Sequence, residues 1–316
     1  MVLMQLSTIR YFCEVARSGS IREAADRLHI ATSAISRQIA QLEDELGEPL
    51  FERHARGTTL TPAGEIAQGH FREMLVRIES IYDQLSELKG LRRGRVRIAT
   101  VEGAVAYLLA RAIADFHSVY PGVSLEITIA GTSGAVDAVL QDEADLFIAF
   151  NVPPNADISV VAQIAEPLYA VVGPEHELWA AESCTLRQIA NMRYGYLTEA
   201  HGIRQLLDQA LHRVGVAPHP ALVSNSLEAL KAFARRAGGI TFMPRFAAQR
   251  EVEAGELCLV PVLEADLITA LLIIGVHRGR RVSRATQELA ERIKDLLVDL
   301  PKPSATAQSH PASTAL

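Results

Sequence analysis

The chain is poor in cysteine. Its 316 residues hold three, Cys13, Cys184 and Cys258, with no CxxC pair and no metal-ligand spacing. That argues against a disulfide framework or a cysteine-held zinc. Buried, inert thiols in a reducing cytosol fit better. A thiol redox switch would need a nearby resolving cysteine, which the sequence does not supply. Long apolar runs are missing as well, so no membrane span or membrane partner is expected. The N-terminus has no basic segment followed by an apolar one, as a secretory signal requires, and a cytoplasmic location is expected. Charge of one sign is also lacking. Lys and Arg number 31 against 37 Asp and Glu, a net charge of −6, unlike a wholly basic nucleic-acid protein. Catalytic signatures are absent: no G-x-S-x-G, no HExxH, no P-loop and no paired carboxylates at a defined site. Gly131-Thr132-Ser133-Gly134 is short and weak as a phosphate loop. The ten histidines form no ligand cluster. Neither an enzyme, a cofactor nor a metal is expected.

What the chain does have is length and apolar content. With 49% hydrophobic residues it can bury sizeable cores in two or three domains. Residues 20–46, SIREAADRLHIATSAISRQIAQLEDEL, carry the strongest signal. Ser20 can cap a helix, with Glu23 where a capping box places an acid. Ile21, Ala24, Ala25 and Leu28 then recur at helical spacing. Gly19 suits the end of an earlier helix whose face is Leu6, Ile9, Phe12 and Ala16. Another helix starts near Thr32 and buries Ile35, Ile39, Leu42 and Leu46. Its opposite side carries Ser33, Ser36, Arg37 and Ala40, with Gln38 beside them. Hydroxyls and a guanidinium can bond base edges and phosphates, and alanine allows close approach. Taken alone, the pair also reads as an ordinary helical hairpin with a solvated face.

Downstream residues shift the balance. Pro49 to Arg53 reads as a short strand, Arg56-Gly57 as a turn, and Thr58-Thr59-Leu60 as the returning strand. Thr61 can cap a further helix with Pro62 at its first position. This is a β-wing with Arg53, His54 and Arg56 at its tip, suited to phosphates or a narrow minor groove. The segments AADRLHIATSAISRQIAQLEDELGEPLFER and LTPAGE resemble the N-terminal domain of LysR-type transcriptional regulators. The resemblance implies a winged helix-turn-helix over residues 1–61 that binds double-stranded DNA through Thr32, Ser33, Ser36, Arg37, Gln38, Arg53 and Arg56. One departure stands out. The family often has glutamine and then proline or serine at the start of this helix, where Thr32 and Ser33 stand here. The operator sequence therefore does not carry over. Residues 1–64 are nearly charge-balanced, so affinity must come from a few placed arginines, doubled by dimerisation.

Residues 62–94 read as a linker helix and hinge. Phe71, Leu75, Ile78, Tyr82 and Leu85 alternate steps of four and three, and Leu88 extends the stripe. A homodimer seam is the preferred reading, with packing on the chain's own domains as the other. Lys89-Gly90-Leu91-Arg92-Arg93-Gly94 breaks the pattern as a basic hinge. From 95 to 300, strands and helices alternate. Strands are read at 96–100, 124–130, 146–150, 193–197, 221–223, 240–243 and 267–276. Helices are read at 104–119, from 133, 202 and 226, and at 283–300. This alternation argues for an α/β fold with parallel sheets and crossover helices. The pattern restarts midway, suggesting two lobes (95–163 with 268–300, and 164–267) hinged near 160–168 and 262–268. Residues 301–316 read as a disordered tail.

This half resembles the family's effector-binding domain, a two-lobed fold like that of periplasmic binding proteins. The resemblance implies a small-molecule effector, often a carboxylate, and assembly into a homotetramer. Strand ends and helix starts meet at the cleft, where free backbone N–H groups and hydroxyls can hold an anion. Thr100, Thr132, Ser133, Asn151, His201 and Asn225 are the candidate contacts. Each hydroxyl can equally cap its own helix. Glu102 is discordant, since a carboxylate there repels an anion unless it turns away or the effector carries a donor or positive group. His201 and Arg204 can restore positive potential. The alternative is a cytoplasmic small-molecule-binding protein or enzyme of the two-lobed fold with an appended interaction module.

Overall fold

The computed structural model describes residues 4–54, 57–87, 94–217, 219–236, 238–280 and 282–298. The chain divides between Leu88 and Lys89 into two compact units.

The first unit is helical with one small hairpin. Helix α1 (Leu6–Ser18) buries Thr8, Ile9, Phe12 and Val15. Leu6 and Ala16, expected on that face, are only half-buried. Helix α2 (Ile21–Leu28) is capped by Ser20, whose hydroxyl accepts the Glu23 N–H at 3.3 Å. The Glu23 carboxylate pairs with Arg27 on the next turn rather than closing a capping box. Helix α3 (Thr32–Leu46) buries Ile35, Ile39 and Leu42. Leu46, read as core, is 40% exposed, because the helix ends there and Gly47 turns the chain away. Strands β1 (Phe51–His54) and β2 (Gly57–Leu60) pair antiparallel, Phe51 facing Leu60. The hairpin tip, Ala55 and Arg56, lies outside the described residues.

Three phenylalanines meet at the centre of this unit. The Phe12 ring lies 5.0 Å from Phe51 and 5.2 Å, edge-on, from Phe71 of helix α4 (Pro62–Glu87). Thr61 caps α4 by accepting the Gly64 N–H at 3.0 Å, and its own hydroxyl donates to Pro49 O. Gly64 has no alternative: a Cβ there would stand 2.1 Å from the Leu50 carbonyl oxygen. The LTPAGE segment thus clamps wing to linker helix. The expected stripe on α4 is split. Phe71 is core and Leu75 packs against it. Tyr82 and Leu85 of the stripe are exposed, as are Met74 and Ile81, and Met74, Ile78, Ile81 and Leu85 share a line at steps of four, three and four. Leu88 and the hinge 89–93 lie outside the described residues.

The second unit is α/β and two-lobed, with mixed rather than purely parallel sheets. Strand β3 (Gly94–Thr100) lies between parallel neighbours β4 (Val123–Ile129) and β5 (Leu146–Phe150). A short 3₁₀ turn, a π-helical turn and helix α5 (Ala110–Val119) link β3 to β4, where sequence periodicity shows one continuous helix. Helix α6 (Thr132–Leu140) links β4 to β5. Strand β6 (Ile158–Ala165), unmarked by the sequence reading, forms the edge of this sheet.

The chain then enters the second lobe through β7 (Leu168–Val172), followed by the short α7 (Leu186–Ile189). Next come β8 (Gly195–Leu197), α8 (Gly202–Arg213), β9 (Leu222–Ser224) and α9 (Leu227–Arg236). Strand β10 (Thr241–Pro244), α10 (Arg245–Glu253), β11 (Cys258–Pro261) and α11 (Ala265–Ile268) complete it. β8 and β9 are parallel, while β7 pairs antiparallel with both β10 and β11. Strand β12 (Leu271–His277) returns to the first sheet between β5 and β6, antiparallel to both. The strand expected from 267 begins later, because residues 265–268 are helical. Helix α12 (Arg284–Val298) closes the described chain, and 299–316 lie outside it. Where the two crossings pass, the Glu166 N–H donates to Ala270 O at 2.8 Å.

Candidate functional site

In the first unit, α3 presents a polar face. Thr32, Ser33 and Arg37 are exposed and Ser36 is half-buried. Its N-cap is Ala31, with no side-chain cap and no acidic residue in the first turn. The free N–H groups there, beside two hydroxyls, suit an anionic oxygen. Gln38 is the exception among the candidates. Its Oε1 accepts the Thr8 hydroxyl at 2.6 Å, which ties it to α1 and withdraws it from the exposed face. Arg53 is exposed on β1, and Arg56 lies outside the described residues.

Charge is sorted on this unit. Glu14 holds Arg17 at 2.7 Å and Arg27 at 3.5 Å. Among the described residues, Arg10, Arg22, Arg37 and Arg53 have no ion-pair partner, so local positive potential survives a near-neutral balance. Glu43 performs a role that sequence reading missed. Its Oε1 accepts the N–H groups of Leu50 and Phe51 at 2.8 and 3.1 Å, which pins the wing to α3. Burial pushes the Cys13 thiol up to about 11, and that of Cys184 likewise, so neither is a reactive thiolate near neutral pH.

In the second unit, strand ends and helix starts of both lobes meet around a partly open cavity of about 20 Å³, room for about one water molecule. Its walls are mostly apolar, including Val101, Phe150, Leu197, Ile203 and Phe246. Glu102, Thr132 and His201 supply the polar groups. Thr132 is buried between the lobes. Its hydroxyl donates to Phe150 O at 3.0 Å and accepts the Gly202 N–H, at the start of α8, at 2.9 Å. A Cβ on Gly202 would stand 1.9 Å from the Phe150 carbonyl oxygen, so only glycine permits this approach. His201 Nδ1 lies 3.0 Å from the Thr198 hydroxyl.

The other candidates are not brought to this cavity. Thr100 is fully buried, with its hydroxyl donating to Val101 O. Ser133, in the first turn of α6, and Asn225, in the bend between β9 and α9, are exposed and do not line the cavity. Asn151 has φ 51°, and its N–H is taken by Leu271 O at 2.7 Å. Arg204 is turned to Asp208 at 2.7 Å and stacks over Tyr196, so it lends the cavity no free charge. Glu102 stays in the cavity wall, but its carboxylate is engaged by the other lobe. Its Oε2 accepts the Leu227 N–H at 2.6 Å and its Oε1 the Ser226 hydroxyl at 3.3 Å, both at the start of α9 in the other lobe. The carboxylate is visible in the sequence, but its partner, 125 residues downstream, is not.

Comparison with known proteins agrees with both halves. Residues 6–65 match the bacterial regulatory helix-turn-helix protein family, lysR type, and residues 89–298 match the LysR substrate binding domain. The transcriptional regulator CbbR of Rhodospirillum rubrum is 30% identical over 290 residues, 92% of this chain and 95% of its own. A single-residue variant of full-length OxyR from Pseudomonas aeruginosa superposes with a TM-score of 0.71 at 23% identity, covering 93% of this chain and 96% of its own. Full-length CbnR in complex with its target DNA superposes with a TM-score of 0.60 at 20% identity, covering 92% and 99%. The chain belongs to the LysR family: it is a DNA-binding transcriptional regulator with a C-terminal substrate-binding domain.

Proposed function

We propose that α3 reads an operator in the major groove through Thr32, Ser33, Ser36 and Arg37, and that Arg53 and Arg56 of the wing contact the flanking backbone. The carrying observation is the uncapped, acid-free start of α3 beside exposed hydroxyls and an unpaired arginine. The chain acts by binding rather than catalysis, in the cytoplasm. It dimerises through α4, which sets two recognition helices about one DNA turn, roughly 34 Å, apart. Pairs of dimers form the tetramer.

The inter-lobe cleft is the effector site, with His201 as the polar contact and Thr132 beside it, its hydroxyl joining the lobes. An effector shifts the balance of lobe arrangements only by its differential affinity for them. The test of the DNA face is the double variant Ser36→Ala/Arg37→Ala. Operator affinity is expected to fall at least about tenfold, at about 1–3 kcal/mol per base contact, with oligomeric state unchanged. Unchanged affinity in a fluorescence anisotropy titration would remove α3 from the interface.

A further inference from the structure

The start of α9 faces the cleft, and an anionic effector would be drawn to such a helix end. That position is already filled from within the chain. Both carboxylate oxygens of Glu102 are engaged there, one by the Leu227 N–H and one by the Ser226 hydroxyl. Ser226 is built into the same unit, because its hydroxyl also accepts the Ala229 N–H at 3.4 Å. Among the described residues Glu102 has no lysine or arginine partner, so its charge is balanced by this helix end. A second, independent bond crosses the cleft between Thr132 and Gly202, and it uses the Thr132 hydroxyl as donor and acceptor at once. Glu102 and the Thr132 hydroxyl are thus both engaged within the protein, and apart from His201 the remaining side chains lining the cavity are apolar.

We propose that Glu102 is a tethered anion that latches the two lobes at the start of α9, and that it selects against carboxylate effectors in favour of neutral or cationic ones with an apolar body. A carboxylate entering here would find the α9 amide taken and a like charge beside it. A neutral or cationic molecule meets apolar walls and an acidic side chain. The inference rests on the cleft being the effector site and corrects the expectation of a carboxylate ligand.

Truncating Glu102 beyond Cβ frees the volume and charge of one acetate ion, and this gives the test. Thermal midpoints of the full-length chain are measured in sodium acetate and in sodium chloride of equal ionic strength. The wild type is expected to show the same midpoint in both salts. Glu102→Ala is expected to melt lower in chloride and to regain the loss, saturably, in acetate but not in neutral acetamide. Saturable stabilisation of the wild type by acetate, or no acetate rescue of Glu102→Ala, would overturn the proposal. Glu102→Gln keeps the shape without the charge. Its midpoint is expected about 2–4 °C below wild type and indifferent to acetate. An equal midpoint would overturn the latch even if Glu102→Ala does not fold. Operator binding by the same samples separates the readings. Wild-type protein that binds no operator undoes the regulator reading alone, and failed rescue with intact operator binding undoes the latch alone.

Discussion

Glu43 accepts two consecutive backbone amides with one carboxylate oxygen, and this joins α3 to the wing. Hydrogen bonds to a charged acceptor are worth more than neutral ones, and losing these two removes the carboxylate from the N–H groups of two buried residues. Glu43→Ala is expected to cost about 2–3 kcal/mol in urea unfolding of the first unit, and a change below about 0.5 kcal/mol would contradict the role. Glu166 makes a different demand on pH. Burial pushes its carboxyl up to about 7, although the N–H groups of Arg245 and Phe246 pull the other way. A carboxyl raised in the folded state contributes stability that is full below about 4.5 and is lost as pH rises through about 7. Glu166→Gln should remove that slope and be more stable than wild type at pH 8 by about 1–3 kcal/mol. Parallel pH profiles of the thermal midpoint for the two proteins would contradict this. At this scale the sequence is only partly legible. Thr32, Ser33 and Arg37 follow from helical phase alone. Gln38 does not, because its partner Thr8 lies on another helix.

The linker helix shows how an element can be read correctly while only part of its apolar stripe is free. The apolar rhythm of α4 is plain in the sequence, and its length of 26 residues agrees. Its phase is not plain, because periodicity cannot tell which apolar residues the preceding domain claims. Phe71 and Leu75 go to the core around Phe12, which leaves Met74, Ile78, Ile81 and Leu85 as the line for a second copy. Ile81→Asp is therefore expected to shift the protein toward monomer by sedimentation without altering its circular dichroism. Phe71→Asp should unfold the first unit instead. A dimer unaffected by Ile81→Asp would move the interface elsewhere. In the second unit the parallel core strands are legible from unbroken apolar runs such as Leu146 to Phe150. Strands β6 and β12 are harder to read. β6 alternates weakly on an open edge, and the antiparallel course of β12 depends on the chain's return from the other lobe.

At the scale of the whole molecule, two units with separate chemistry share one chain. One carries a sparse set of unpaired arginines around α3. The other holds a cleft whose polar groups bond to each other across the lobes. Domain order and family follow from the sequence because they rest on local motifs, LTPAGE and the helix-turn-helix above all. The cleft contacts do not, because those between the lobes join residues 70 to 125 positions apart. The small number of phosphate contacts proposed per protomer makes the salt response informative. In an operator titration, Arg53→Ala should flatten the log–log salt slope by about 2 per dimer, one contact from each wing. The most direct measurement is anisotropy of the full-length protein on labelled fragments flanking its gene, across a range of salt. One fragment should bind far more tightly than the rest, with a steep negative salt slope and clear weakening in Ser36→Ala/Arg37→Ala. Equal binding to every fragment, or binding indifferent to salt and to those substitutions, would contradict sequence-specific regulation through α3.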